Sequence, residues 1–157
     1  MFIETAMQEH IAMFRHILLP IDGSELSERA VRSGVRLAKT FGASVTAFHM
    51  KPKVDGFTAM MDGFERTPGD YLEDAELRSK TLLTYVSRAA KAAGVDCDVV
   101  SSTGNDPFKE IIKVATTRKC DLVVMGSHGR RGIEAVLMGS ETHKLLTHSR
   151  IPVLVYR

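Results

Sequence analysis

Gly126 and Gly129, followed after nine intervening residues by Gly139-Ser140, are the residues of this chain whose types and spacing are best suited to chemistry. They come directly after the apolar run Leu122-Val123-Val124, and Ser140 opens a short helical pattern. Glycine lets backbone amides approach a ligand closely. The first amides of a helix have no partner within it and carry the positive end of its dipole, so they favour phosphate. This is an anion cradle built from backbone, and it needs no catalytic side chain to bind. No Gly-Lys-Ser/Thr follows any apolar run and no G-x-G-x-x-G occurs, so a Walker loop and a dinucleotide fingerprint are both disfavoured.

The other reactive side chains form weaker patterns. His128, His143 and His148 lack the i, i+4 spacing of a helical metal site. His128 reads equally as a ligand-facing residue or as a hydrogen-bonded loop histidine. Arg130 and Arg131 can reach phosphates or a partner, although at least one of them is expected in solvent. Cys97 and Cys120 form neither a metal spacing nor a disulfide framework, which points to buried thiols in a reducing cytoplasm. Neither a catalytic set nor a metal-ligand set emerges.

These residues must be positioned by alternating strands and helices. His16-Ile17-Leu18-Leu19-Pro20-Ile21 reads as a strand buried on both faces. Asp22-Gly23-Ser24 then turns into a helix capped by Ser24, carrying Leu26, Ala30, Gly34, Leu37 and Phe41 on one face and stopped by Gly42. Strands follow at Ser44 to Met50, Asp96 to Ser101, Asp121 to Met125 and Pro152 to Tyr156. Helices are expected from about Tyr71 to Ala93, after an Asp106 cap and Pro107, and from Ser140 to about Ser149. Alternation of this kind predicts an α/β fold, a five-stranded parallel doubly wound sheet with helices on both faces. Ligands bind such sheets beyond the C-terminal strand ends, where strand order reverses. If the first and fourth strands are neighbours there, Pro20-Ile21-Asp22 and Met125-Gly126 face one crevice.

The length of 157 residues suits a single domain, expected over residues 15–157 after an extension of residues 1–14. That extension contains Glu4 and Glu9 and does not read as a signal peptide. The apolar run from Ile17 to Ile21, like the others in the chain, is too short for a bilayer. From Lys109 onward nine Lys/Arg stand against four Asp/Glu, whereas the preceding part carries twelve against fifteen. The basic share thus accompanies the glycine pattern and suits an anionic small ligand; nucleic acid would call for a larger excess with interleaved aromatics. Residues 51–70 read as a long loop in which Phe57, Met60, Met61 and Phe64 recur at helical spacing. It is either a surface loop with a small apolar cluster, or a lid or docking face.

Three segments together resemble the universal stress protein family in its nucleotide-binding branch. Gly126, Gly129, Gly139 and Ser140 reproduce its G-x2-G-x9-G-[ST] signature, Ile17 to Ser24 resembles its first strand and turn, and Ile151-Pro152-Val153-Leu154-Val155 its terminal strand. The resemblance implies a Rossmann-like, adenine nucleotide alpha hydrolase-like sheet and a homodimer that binds ATP or another adenine nucleotide, with or without magnesium. Asp22 matches the position that hydrogen-bonds the adenine, and Pro20, Ile21 and Met50 match positions around base and sugar. Gly126, His128 and Gly129 match the loop beside ribose and phosphates, and Gly139, Ser140 and Thr142 match the phosphate cradle. Met125 and Glu141, inside the same segments, complete the nucleotide-binding candidates. Glu141 departs from the small or apolar residue usual there. It either points outward or competes with phosphate for the helix N-terminus.

The expected function is a cytoplasmic, non-enzymatic nucleotide switch or adaptor in a stress response, acting on an unidentified protein partner rather than on nucleic acid or membrane. Two alternatives stand beside it: an ATP-hydrolysing or phosphoryl- or nucleotidyl-transfer enzyme, and a nucleotide-free interaction module. The apolar terminal strand predicts a homodimer paired through that edge.

Overall fold

The computed structural model describes residues 13–53, 67–129 and 138–157. Leader residues 1–12, the Phe57, Met60, Met61 and Phe64 pattern, Arg130, Arg131 and the apolar residues up to 137 lie outside the described residues.

Strand β1 is His16–Pro20, followed by α1 at Glu25–Phe41, β2 at Ser44–Pro52, α2 at Pro68–Ala93 and β3 at Cys97–Gly104. Then come α3 at Pro107–Thr117, β4 at Leu122–Gly126, α4 at Ser140–His148 and β5 at Val153–Tyr156. The five strands form one sheet in the order β3-β2-β1-β4-β5, every pairing parallel. Order reverses between β1 and β4, where Ile17 pairs with Leu122 and Leu18 with Val123.

Local sequence accounts for the elements. In β1, Ile17, Leu18 and Leu19 are fully buried, as central parallel strands covered on both faces require. Ile17 and Leu19 face one core with Val31, Val35, Leu83 and Val86, while Leu18 faces a second with Phe48, Ile111 and Leu145. Helices α1 and α2 thus cover one face of the sheet, and α3 and α4 the other. Helix α1 comes close to the sheet at Gly34, where a Cβ would collide with the Leu19 side chain. Gly42 ends α1 with φ of 66°, the left-handed geometry that glycine adopts without strain.

Pro20 has a direct structural consequence. Ile21 donates its N–H to the Phe48 carbonyl on β2 at 2.9 Å. Alternation along a strand therefore turns the amide position of Pro20 toward β4, and proline has no N–H to give. The β1–β4 ladder loses a donor there, at the switch point where doubly wound sheets offer a ligand crevice.

Several boundaries differ from the sequence reading, β3 among them, which runs to Gly104 instead of ending at Ser101. Lys51 and Pro52, expected in the loop, extend β2 and pair with Thr103 and Gly104. Helix α2 begins at Pro68, because Thr67 and Asp70 form a reciprocal capping box and the proline occupies the first turn. The expected start at Tyr71 missed this because a cap carries no hydrophobic periodicity.

Candidate functional site

The β1 exit forms one wall of the crevice. Asp22 Oδ1 accepts from the Ser24 backbone N–H at 2.9 Å and from the Ser24 hydroxyl at 2.7 Å. Ser24 Oγ in turn accepts from Ser27 N–H at 3.2 Å as the N-cap of α1. The Asx turn and the helix cap therefore share one serine. Asp22 Oδ2 lies where a Gly129 side chain would sit. The first and fourth strands thus deliver Asp22 and Gly129 to the same place.

Two residues behind this wall carry no motif. His49 on β2 is 7% exposed, and its Nδ1 lies 2.7 Å from the Ile21 carbonyl. A carbonyl only accepts, so Nδ1 bears the proton. Burial is the main influence holding the His49 pKa below its ordinary value, with Arg78 and Lys51 acting in the same direction; the Ile21 bond and Asp22 oppose it. Arg78 on α2 donates from Nη2 to the Asp22 carbonyl at 3.0 Å. Lys51 and Glu76 form an ion pair between β2 and α2.

The β4 exit forms the opposite wall. A Cβ on Gly126 would come within 3.2–3.4 Å of Leu26 atoms, including its backbone, and one on Gly139 within 3.1 Å of both Ser127 O and His128 Cα. Both glycines therefore serve close backbone approach. Gly139 N–H donates to the Ser127 carbonyl at 2.8 Å, and the buried Thr142 hydroxyl to the Gly126 carbonyl at 3.2 Å. These bonds tie the start of α4 to the end of β4. The first intrahelical bond is His143 N–H to Gly139 O, at 2.9 Å, and among the described residues no side chain caps α4. The amides of Ser140, Glu141 and Thr142 are therefore the first-turn donors that a helix leaves for an outside acceptor. Ser140 is exposed at the surface, and His128 is half-buried with Nδ1 3.2 Å from Ser127 Oγ.

Glu141 occupies neither of its two expected positions. Its Oε2 accepts the Phe108 N–H at 3.1 Å, and its Oε1 accepts from Lys144 Nζ at 2.8 Å. It thus caps the neighbouring helix α3. The expected cap, Asp106, makes no side-chain capping bond and instead pairs with Lys109 at 3.1 Å. The carboxylate on α4 reaches the first turn of α3 because the two helices pack side by side on one face. Met50 and Met125 are half-buried and pack against the core beneath those helices. Pro20 is half-buried at the end of β1, and Ile21, 3% exposed, packs in the core beneath α1 and α2.

Sequence reasoning missed His49, Arg78, Leu26 and Ser127. His49 could have been suspected from its place in an otherwise apolar strand, but Arg78 lies on the polar-rich α2 and gave no signal. Among the described residues, no three His, Cys, Asp or Glu side chains converge to hold a metal, and no helix is long and apolar enough to cross a membrane. Burial pushes the Cys97 thiol up and that of Cys120 up to about 11, so neither is a ready nucleophile at neutral pH.

The arrangement offers a fixed carboxylate acceptor at one end of a crevice and backbone donors at the other. Comparison with known proteins places it among relatives. The model of the universal stress protein family matches residues 13–157. Universal stress protein YxiE of Bacillus subtilis is 30% identical over 149 residues, covering 92% of this chain and all of that protein (100%). The solved structure of MJ0577, a universal stress protein of Methanocaldococcus jannaschii, superposes with a TM-score of 0.71 at 25% identity, covering 92% of this chain and 96% of the other. A universal stress protein crystallised in complex with cAMP gives a TM-score of 0.69 at 23% identity, covering 92% and 97%.

Proposed function

Because this chain belongs to the universal stress protein family, we propose that it binds an adenine nucleotide in the crevice between β1 and β4 and acts as a non-enzymatic switch or adaptor. One juxtaposition carries the proposal: Asp22 Oδ2 lies against Gly129, while the start of α4 is bonded to the Ser127 carbonyl next along the same loop. A carboxylate accepts from the exocyclic amine of adenine and would repel phosphate, so Asp22 belongs to the base end. The amides of Ser140, Glu141 and Thr142, with the Ser140 hydroxyl, donate to the phosphates. Such charge-assisted bonds are worth about 1.5–3 kcal/mol each. Pro20, Ile21 and Met50 line the base and sugar, and Gly126, His128 and Gly129 border ribose and phosphates. The relative crystallised with cAMP fits an adenine ligand for this fold.

The enzyme reading needs an acid that holds a metal at the phosphate end. Among the described residues Glu141 is the candidate at that end, and its carboxylate is committed to Phe108 and Lys144. This favours a binder, with magnesium accompanying the phosphates if it binds at all. Two free cysteines suit a reducing cytoplasm. We further assign β5 as a homodimer edge, on which Leu154 is exposed.

The experiment is a thermal-shift and calorimetric series with ATP, ADP, AMP and cyclic AMP, with and without magnesium, on protein stripped of nucleotide. A ligand at a hundred times its Kd adds about 2.7 kcal/mol, which raises Tm by roughly 5–10 °C in a domain of this size. Asp22→Asn, which places an amide where the adenine amine needs an acceptor, should weaken binding by about tenfold or more. Flat curves for every nucleotide defeat the proposal and favour a nucleotide-free interaction module. Turnover near ordinary enzyme rates, about 1–1000 per second, defeats the non-enzymatic part.

A further inference from the structure

The two peptide planes that meet at the Asp22 Cα are each held by a side chain from a different element. The first plane ends in the Ile21 carbonyl, bound by His49 Nδ1–H from β2 at 2.7 Å. The second ends in the Asp22 carbonyl, bound by Arg78 Nη2–H from α2 at 3.0 Å. Fixing both planes fixes φ and ψ of Asp22, and with them the direction of its Cα–Cβ bond. Ser24 then sets the carboxylate by holding Oδ1. Outside support matters here because Gly23, the next residue, has φ of 81° and supplies a soft link.

We propose that His49 and Arg78 form a two-sided clamp of positioning residues that holds the Asp22 acceptor toward the base end of the crevice, so that nucleotide affinity depends on two side chains that do not touch the nucleotide. The clamp rests on the nucleotide reading above and adds to it the support of its base end. It also makes that end sensitive to acid. His49 faces Asp22 from the β1 exit, Lys51 along β2 and Arg78 from α2, with Glu76 of α2 paired to Lys51. A proton on His49 puts a third cation beside Arg78 and Lys51, and repulsion then loosens the Arg78 grip on the Asp22 carbonyl. An acceptor held in place before the ligand arrives avoids the ordering cost of binding.

The test is calorimetric titration of the full chain with ATP and, separately, with adenosine, which carries no phosphate and so reports on the base end alone. His49→Leu and Arg78→Met should each weaken adenosine binding by about tenfold, and the double variant by well under a hundredfold, because both act through Asp22. His49→Asn keeps an N–H near the Nδ1 position and should recover to within about threefold of the unaltered chain. Between pH 7.5 and 5.5 the unaltered chain should lose adenosine affinity, while His49→Asn should not. Should the Leu or Met variant fail to fold, the Asn variant and the pH series still decide. Failure of the unaltered chain to bind either ligand overturns the nucleotide reading, and the clamp with it. If the unaltered chain binds, and cooperatively melting Leu and Met variants bind adenosine equally well, the clamp alone is overturned. The same holds if the pH series of the unaltered chain and of His49→Asn coincide.

Discussion

Glu141 carries a charge that the helix field attracts, yet its carboxylate serves a helix other than its own. It accepts the Phe108 N–H in the first turn of α3, where a negative charge gains from the helix dipole. Glu141→Ala should therefore cost about 1 kcal/mol of stability, read as a lowered midpoint in thermal or urea unfolding. The ratio of ATP to AMP affinity should stay unchanged, because the carboxylate faces Phe108 and Lys144; a ratio shifted toward ATP would return Glu141 to the phosphates. His49 permits a second prediction at this scale. Burial depresses its pKa in the folded chain, so between that value and about 6.5 the unfolded chain binds more protons than the folded one. Stability should fall as pH drops through about 6.5 and level off below the folded pKa. Urea unfolding of His49→Asn across pH 5 to 7.5 should lack this part of the loss.

At the scale of elements, the α2 start and the β1 end show how few residues decide the layout. Thr67 accepts from Asp70 N–H at 3.2 Å, and Asp70 Oδ2 accepts from Thr67 N–H at 2.7 Å, so two orphan amides are satisfied reciprocally. Thr67→Ala should cost about 1 kcal/mol and raise hydrogen exchange in the first turn of α2 more than near Arg78. Uniform exchange along α2 would show that the box does not set the helix start. Pro20 ends the β1–β4 ladder by withholding a donor, and the glycines at 126 and 139 let α1 and α4 approach β4. The crevice is thus a product of what the backbone lacks at these positions, a missing N–H and missing Cβ atoms.

At the scale of the whole molecule, β5 is the outer strand beside β4, and Leu154 on it is 41% exposed. An apolar outer strand is normally covered or paired. If two copies pair there, light scattering should give twice the chain mass, and Leu154→Lys should shift the population to monomer by placing like charges across the two-fold axis. A monomeric unaltered chain excludes this assembly. Tyr156 carries the Arg29 guanidinium 5.6 Å from its ring centroid, which joins the end of β5 to α1.

The sequence by itself determined most features whose cause lies within one turn or one strand, the Thr67–Asp70 box at the start of α2 being an exception. Apolar runs marked β1 and β4, Ser24 and Gly42 bounded α1, and the 126, 129, 139 spacing marked the candidate cradle, because runs and caps act between near neighbours. Only the tertiary structure decided that β1 lies beside β4 and that Asp22 meets Gly129, since the open sheet brings strands together across a long crossover. It likewise decided that Glu141 caps α3, that His49 grips a carbonyl 28 residues away and that Arg78 grips one 56 residues away. Such contacts leave no period in the chain: they join residues whose spacing is set by packing, and their energy appears only once both elements have docked on the sheet.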